Sequence, residues 1–62
     1  MQIKELRNKT GMSQSKFAEK FHLNKGTLAN WEQGFRNTPE SIEYMIERIL
    51  FLEEELEKYK KN

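Results

Sequence analysis

The sequence predicts an all-α fold, a compact bundle of about five helices that ends in one long helix. Three observations support this prediction. Apolar residues recur at spacings of three and four, which is the period of an amphipathic helix. Ser13 and Asn24 stand directly before two short runs of this kind, where helix N-caps are expected. No glycine or proline interrupts the chain after Pro39. With 62 residues and no cysteine, the chain is one small domain without disulfides or thiolate metal sites.

The first helix is predicted over residues 2–9, with Ile3 and Leu6 as its inward residues. Both are apolar and three positions apart in an otherwise polar segment. Thr10 and Gly11 follow, and glycine commonly closes a helix. We therefore expect a short amphipathic helix that packs on whatever follows it.

The second and third helices are predicted over residues 13–21 and 25–33, separated by His22, Leu23 and Asn24. Gly34 follows the last periodic residue, where a left-handed glycine ends a helix. A turn this short sets two helices at a large angle, as in a helix-turn-helix. Helices 2 and 3 are therefore predicted to form that motif, with an apolar inner face made by Phe17, Ala18, Phe21, Leu23, Leu28 and Trp31.

The last helix is predicted from Pro39 to about Lys60. Its apolar residues at spacings of three and four form a heptad seam, Ile42, Met45, Ile49, Leu52, Leu56 and Tyr59. We divide the chain into a helix-turn-helix domain, residues 1–50, and a C-terminal extension of the last helix, residues 51–62, which is a candidate dimerisation segment. Three interpretations of the seam are open. The seam could pair with a second copy in a parallel orientation, where Glu55 would meet Lys60 of the other copy. It could pair with a second helix in an antiparallel orientation. In the third interpretation, the part beyond Leu52 is a solvated tail.

Charge divides the chain into two halves. Residues 1–37 carry seven Lys or Arg and three Glu, a net charge of +4, whereas residues 38–62 carry four and seven, a net charge of −3. The basic half contains the predicted helix-turn-helix. A polyanion would be attracted to that half and repelled by the other.

The segment from Met12 to Pro39 resembles the helix-turn-helix of phage lambda-type repressors and of the wider Xre/Cro family. The matching residues are Met12, Ser13 and Gln14, then 17–21 (FAEKF), Leu23 and Asn24, Thr27 and Leu28, 31–34 (WEQG), Arg36 and Pro39. The resemblance covers roughly residues 3–50. The sequence departs from the family pattern at His22, where glycine is usual, and at Gly26, where a polar residue is usual.

The resemblance implies an ion pair between Arg7 and Glu32. In this family a helix-one arginine pairs with the glutamate after the tryptophan position, and a guanidinium can grip a carboxylate through two parallel hydrogen bonds. The pair would lock the first helix to the end of the recognition helix. The alternative is that both residues are ordinary surface charges.

Double-stranded DNA is the partner that the resemblance implies, with the helix over residues 25–33 in the major groove. The candidates for base contacts are Lys25, Gly26, Ala29 and Asn30. Lys25 can donate to guanine, and Asn30 can pair bidentately with adenine. The candidates for phosphate contacts are Ser13, Gln14, Lys16, Asn24, Thr27 and Arg36. Because few of these side chains are long and polar, we expect dimer spacing and DNA shape to supply much of the specificity.

No enzyme class is indicated. His22 lacks a Cys or Asp neighbour, so we interpret it as a turn residue rather than a metal ligand or base. The three consecutive carboxylates at Glu53–Glu55 face different directions on a helix, which disfavours a metal site. Trp31 is interpreted as a core residue rather than a base-stacking one. We therefore predict no cofactor, no metal and no small-molecule ligand, and no apolar run long enough to span a membrane.

Two functions follow from these patterns. The first is a sequence-specific transcriptional regulator, acting in the prokaryotic cytoplasm at the nucleoid, that represses from a palindromic operator as a homodimer. The second is an antitoxin-like or other interaction module whose last helix lies in a groove of a foreign protein. A seam that is complementary to itself favours the first function, and a monomer with an exposed stripe favours the second.

Overall fold

The computed structural model describes residues 2–60, and these residues form four α-helices. They are α1 (Ile3–Thr10), α2 (Gln14–Lys20), α3 (Lys25–Gln33) and α4 (Glu40–Lys60). The all-α class is confirmed, but the expected count of about five helices is wrong for the described residues. The segment from Glu40 to Lys60 contains neither glycine nor proline, so it continues as one helix of 21 residues. The last two residues of the predicted extension, 61 and 62, lie outside the described part.

The predicted helix boundaries of the central motif are confirmed by their capping contacts. The Ser13 hydroxyl oxygen accepts from the Lys16 amide at 3.2 Å, which caps α2. The Asn24 carboxamide oxygen accepts from the amides of Gly26 at 2.8 Å and Thr27 at 3.2 Å, which caps α3. Gly34 ends α3 with a φ of +84°, a conformation that glycine adopts without steric cost.

His22 lies at the turn between α2 and α3 with a φ of +57°, and it is the non-glycine residue with positive φ among those described. The family resemblance places glycine here because the turn requires the left-handed region. Histidine tolerates that region better than β-branched residues do. The Leu23 amide then donates to the Ala18 carbonyl at 2.8 Å, so the turn stays hydrogen-bonded to α2.

The core is formed where α1, α2, α3 and the first half of α4 meet. Its buried residues come from all four helices and are Ile3, Leu6, Phe17, Ala18, Leu28 and Ile46. Phe17 and Leu28 are fully buried, which confirms the inward face predicted for α2 and α3. Trp31, Phe21, Leu23 and Met12 pack against this cluster from its edge, so Trp31 is a core residue as predicted.

The second half of α4 extends beyond the core. A helix of 21 residues is about 31 Å long, which exceeds the two shorter dimensions of the molecule, 21 and 17 Å, and fits only along the 44 Å axis. From Phe51 to Lys60 every residue is exposed except Glu55, which is half-buried. The radius of gyration, 12.3 Å, is larger than the roughly 10.6 Å expected for a sphere-like domain of this length. The protruding half-helix accounts for the difference.

Candidate nucleic-acid interface

A polar network joins α1, α2 and α3 behind the proposed DNA-facing surface. Arg7 donates from Nε to Glu32 Oε2 at 2.7 Å and from Nη2 to Glu32 Oε1 at 2.9 Å, a bidentate pair. Its third nitrogen, Nη1, donates to the Met12 carbonyl at 3.0 Å. Gln14 Nε2 donates to Glu32 Oε1 at 3.0 Å. The structure thus brings Arg7 and Glu32 together across 25 residues of sequence and adds Gln14 to the pair.

The network is largely shielded from water. The Glu32 side chain is 3% exposed and the Arg7 side chain 17% exposed. The hydrogen bonds from Arg7 hold the pKa of the Glu32 carboxyl below its ordinary value, and this effect outweighs burial, which raises it. The amide of Gln14 and the nearby positive charge of Lys4 lower the same pKa further. Glu32 is therefore a carboxylate at neutral pH, and its charge keeps the pair bidentate.

The outward face of α3 carries the residues predicted to contact bases. Lys25, Gly26 and Asn30 are exposed, and Ala29 is half-buried. Leu28 lies on the opposite side, fully buried in the core. Because the inner side is fixed by packing and by the Glu32 network, the rotation of α3 about its axis is fixed too. The four candidates consequently share one side of a rigid helix.

Gly26 has a structural role as well as its predicted one. A Cβ atom at this position would lie 3.1 Å from the Asn24 carboxamide oxygen that caps α3. Any larger residue would push against that oxygen, which accepts from the Gly26 amide itself. The absence of a side chain thus keeps the cap close to the first turn of α3 and keeps the backbone accessible.

The residues predicted to contact phosphate lie in two groups. Ser13, Gln14 and Lys16 stand at the start of α2, where free helix amides favour an anion. Ser13 and Lys16 are exposed, and Gln14 is half-buried with its amide engaged by Glu32. Its second amide hydrogen remains a potential donor. The other three candidates are Asn24, Thr27 and Arg36, of which Asn24 and Arg36 are exposed and Thr27 is half-buried.

Sequence reasoning missed two features of this region. Lys20, at the end of α2, donates to Glu53 Oε2 at 2.8 Å, which ties the helix-turn-helix to the protruding half of α4. The two residues are 33 positions apart, and no local pattern signals such a contact. Phe35, next to Arg36 in the loop after α3, is 74% exposed. The loop sequence does not distinguish an exposed Phe35 from a buried one.

The predicted seam lies mostly on the surface. Its first residue, Ile42, packs against the core, but the other five are exposed, by 55% for Met45, 38% for Ile49, 50% for Leu52, 59% for Leu56 and 78% for Tyr59. The line of residues that the helix packs against the core, Ile42, Ile46 and Leu50, shares only Ile42 with the seam. We call the five exposed residues the α4 stripe. Core packing and the stripe thus use adjacent sides of one helix.

Other kinds of site are not evident in the described residues. Within residues 2–60, no three His, Asp or Glu side chains come together as metal ligands could. No helix in the same range is long and apolar enough to cross a membrane.

The comparison with protein-family models gives one finding that bears on this surface. A family model described as helix-turn-helix matches residues 3–56, which is nearly the whole chain and includes α1, α2, α3 and most of α4. Neither the curated proteins nor the solved structures include a significant match.

Proposed function

The chain belongs to the helix-turn-helix family of the Cro/C1 type, whose members are DNA-binding transcription regulators. From that membership we propose that it represses transcription as a homodimer on a palindromic operator. The protein would place α3 in the major groove, where Lys25 and Asn30 read bases. Repression would follow from occupying a promoter in the prokaryotic nucleoid and would need no chemistry and no cofactor.

The observation that carries this proposal is the bracing of α3. Its inner side is fixed by Leu28 in the core and by Glu32 in the bidentate pair with Arg7. Its outer side is left exposed, with a lysine and an asparagine among small residues. A recognition helix needs this combination, because a base contact is specific only when the helix cannot rotate or shift in the groove.

Electrostatics support the same orientation. The exposed cations Lys16, Lys25 and Arg36 all lie in the half of the chain with a net charge of +4, whereas the acidic residues concentrate in α4. Each lysine or arginine that neutralises a phosphate releases a condensed counterion, so binding would weaken steeply with salt.

Homodimerisation rests on the α4 stripe. A single helix-turn-helix of this size offers few long polar side chains for base contacts, and a second copy would double both the contacts and the site length. Five exposed apolar side chains at heptad spacing give the chain a surface through which it could pair. A foreign protein is the alternative occupant of the stripe and would make the chain antitoxin-like.

Selection of binding sites from random-sequence DNA tests the proposal. We expect the purified protein to enrich an inverted repeat whose half-site centres lie about one helical turn, 34 Å, apart. On the selected site, Asn30→Ala should relax preference at one base pair in each half-site, at a cost of about 1–3 kcal/mol. Enrichment of no sequence at low salt would refute the proposal.

Cation variants separate phosphate contacts from base contacts. Lys16→Ala and Arg36→Ala should weaken binding to all sequences about equally and each reduce the salt dependence by about one counterion. Lys58→Ala is the matched control, because Lys58 is an exposed lysine on the protruding half of α4. A promoter carrying the selected site should be transcribed less in the presence of the protein, and more transcription would indicate an activator.

A further inference from the structure

The centre of the α4 stripe, at Ile49 and Leu52, has the residue types of a two-stranded parallel coiled coil. With Ile42 at position a of a heptad, the a positions are Ile42, Ile49 and Leu56, and the d positions are Met45, Leu52 and Tyr59. A β-branched residue at a with leucine at d, as at Ile49 and Leu52, favours two parallel strands. Tyr44 and Phe51 fall at the c positions, outside the seam. The heptad pattern thus points to a second copy of this chain as the occupant.

Charges beside the stripe distinguish the two orientations. In a parallel pair a g residue meets the e′ residue five positions later. Arg48 at g then meets the partner's Glu53 at e, and Glu55 at g meets the partner's Lys60 at e, so both charged pairs attract. With the same seam in antiparallel, Arg48 meets the partner's Glu55. In that orientation Glu53 lies beside an isoleucine, and Lys60 extends past the start of the other helix.

Lys20 adds a third charged group to the parallel arrangement. Glu53 already accepts from Lys20 at 2.8 Å within one chain, and its side chain stays 47% exposed. A carboxylate has about four lone-pair sites, so it can accept from a second cation without losing the first. Arg48 lies on the same helix at position g, directly before Ile49. Its guanidinium lies 5.7 Å from the Phe51 ring, on the surface. Because Arg48 is exposed, a helix packed on the stripe would lie within its reach.

We propose that two copies pair in parallel along the α4 stripe, with Glu53 of each copy joining its own Lys20 to the partner's Arg48. This proposal rests on the homodimer proposed above and specifies its geometry. Lys20 ends α2, so the three-residue contact ties the partner's α4 to the helix-turn-helix rather than only to α4. It thereby fixes the distance between the two α3 helices, which sets the spacing of the operator half-sites.

Cysteine cross-linking tests the orientation directly, because the natural chain has no cysteine. In the parallel pair Tyr59 meets its own counterpart, so Tyr59→Cys should form a disulfide dimer under mild oxidation. In the antiparallel pair Met45 would instead meet the partner's Leu56. A mixture of Met45→Cys and Leu56→Cys proteins would then give a mixed disulfide. Lys58→Cys is the control, since Lys58 is adjacent in sequence but points away from the seam.

The cross-linking and sedimentation results distinguish the parallel dimer, the antiparallel dimer and the monomer. Cross-linking of Tyr59→Cys well above the Lys58→Cys level supports the parallel arrangement. A predominantly mixed Met45–Leu56 disulfide would overturn it while the homodimer stands. A wild-type chain that sediments as a monomer at every concentration would overturn both. The experiment contains no DNA, so its result is independent of whether the regulatory function is correct.

A double-mutant cycle on the dimer dissociation constant tests the role of Glu53. Arg48→Gln should weaken dimerisation roughly three- to tenfold, since two exposed pairs are lost per dimer. The effect should largely disappear in a Glu53→Gln background and persist in a Glu55→Gln background. Coupling of Arg48 to Glu55 rather than to Glu53 would overturn the proposal.

Discussion

The helix-turn-helix and the protruding half of α4 use apolar side chains in opposite ways. In α2 and α3, Phe17 and Leu28 are fully buried, and Gln14 of α2 donates a hydrogen bond to Glu32 of α3. In α4, Leu52, Leu56 and Tyr59 are at least half exposed in a single chain. The first region buries its apolar side chains against α1 and the first half of α4, whereas the second leaves its apolar side chains uncovered in a single chain. The proposed function uses this division, because base recognition requires a fixed α3 and pairing requires an exposed apolar surface.

Truncation in the two regions should have the most divergent effects. Phe17→Ala removes a fully buried ring and should cost about 3–5 kcal/mol, enough to unfold a chain this small. Leu56→Ala removes a side chain that is 59% exposed, so it should barely change the stability of the monomer and should weaken dimerisation. Urea unfolding at low protein concentration, with sedimentation equilibrium, measures the two effects. Equal loss of monomer stability would show that the stripe belongs to the core.

Breaking the polar network should have the next largest effect. Removing one partner of a well-buried ion pair costs about 3–5 kcal/mol, and the Arg7 side chain is 17% exposed, so we expect about 2 kcal/mol for Arg7→Ala. Arg7→Lys should recover only part of this loss, because an ammonium cannot make the two parallel hydrogen bonds. A double-mutant cycle with Glu32→Gln measures the coupling. Additive effects would mean that the pair contributes nothing to the rigidity of α3.

Acid should weaken the same network. The folded-state pKa of Glu32 is lowered, chiefly by the hydrogen bonds from Arg7. Its contribution to stability is therefore complete above the unfolded pKa of about 4.3 and is lost as the pH falls through the lower folded value. The stability advantage of the wild type over Glu32→Gln should be constant from pH 7 to 5 and shrink below about pH 4.5. An advantage that grows on acidification would contradict the assigned charge state.

The smallest effect is expected where the two regions touch. Lys20 and Glu53 are 28% and 47% exposed, and pairs of this kind contribute about 0.2–1 kcal/mol and are screened by salt. Lys20→Gln should change the unfolding free energy of the monomer by no more than this amount. A much larger loss would show that the protruding half of α4 is part of the folded unit rather than an attachment to it.

Much of the fold was predictable because it depends on local interactions. Ser13 and Asn24 cap the helices that they were expected to cap, since a short polar side chain reaches its own helix amides in any tertiary context. The count of about five helices was wrong because it allowed for one helix more than the four segments that the residue pattern marks, and those four account for every helix of residues 2–60. The base- and phosphate-contact residues remain predictions, with their positions on the surface now known.

The sequence by itself determined the helices, their caps, the inward face of the central motif and the membership in its family, because each depends on residue type and spacing along the chain. Only the tertiary structure decided that Gln14 joins Arg7 at Glu32, that Lys20 reaches Glu53, and that α4 separates its core side from its exposed stripe. These contacts join residues 18 to 33 positions apart or depend on the rotation of one helix against others. Packing sets that rotation, and helical periodicity alone leaves it undetermined.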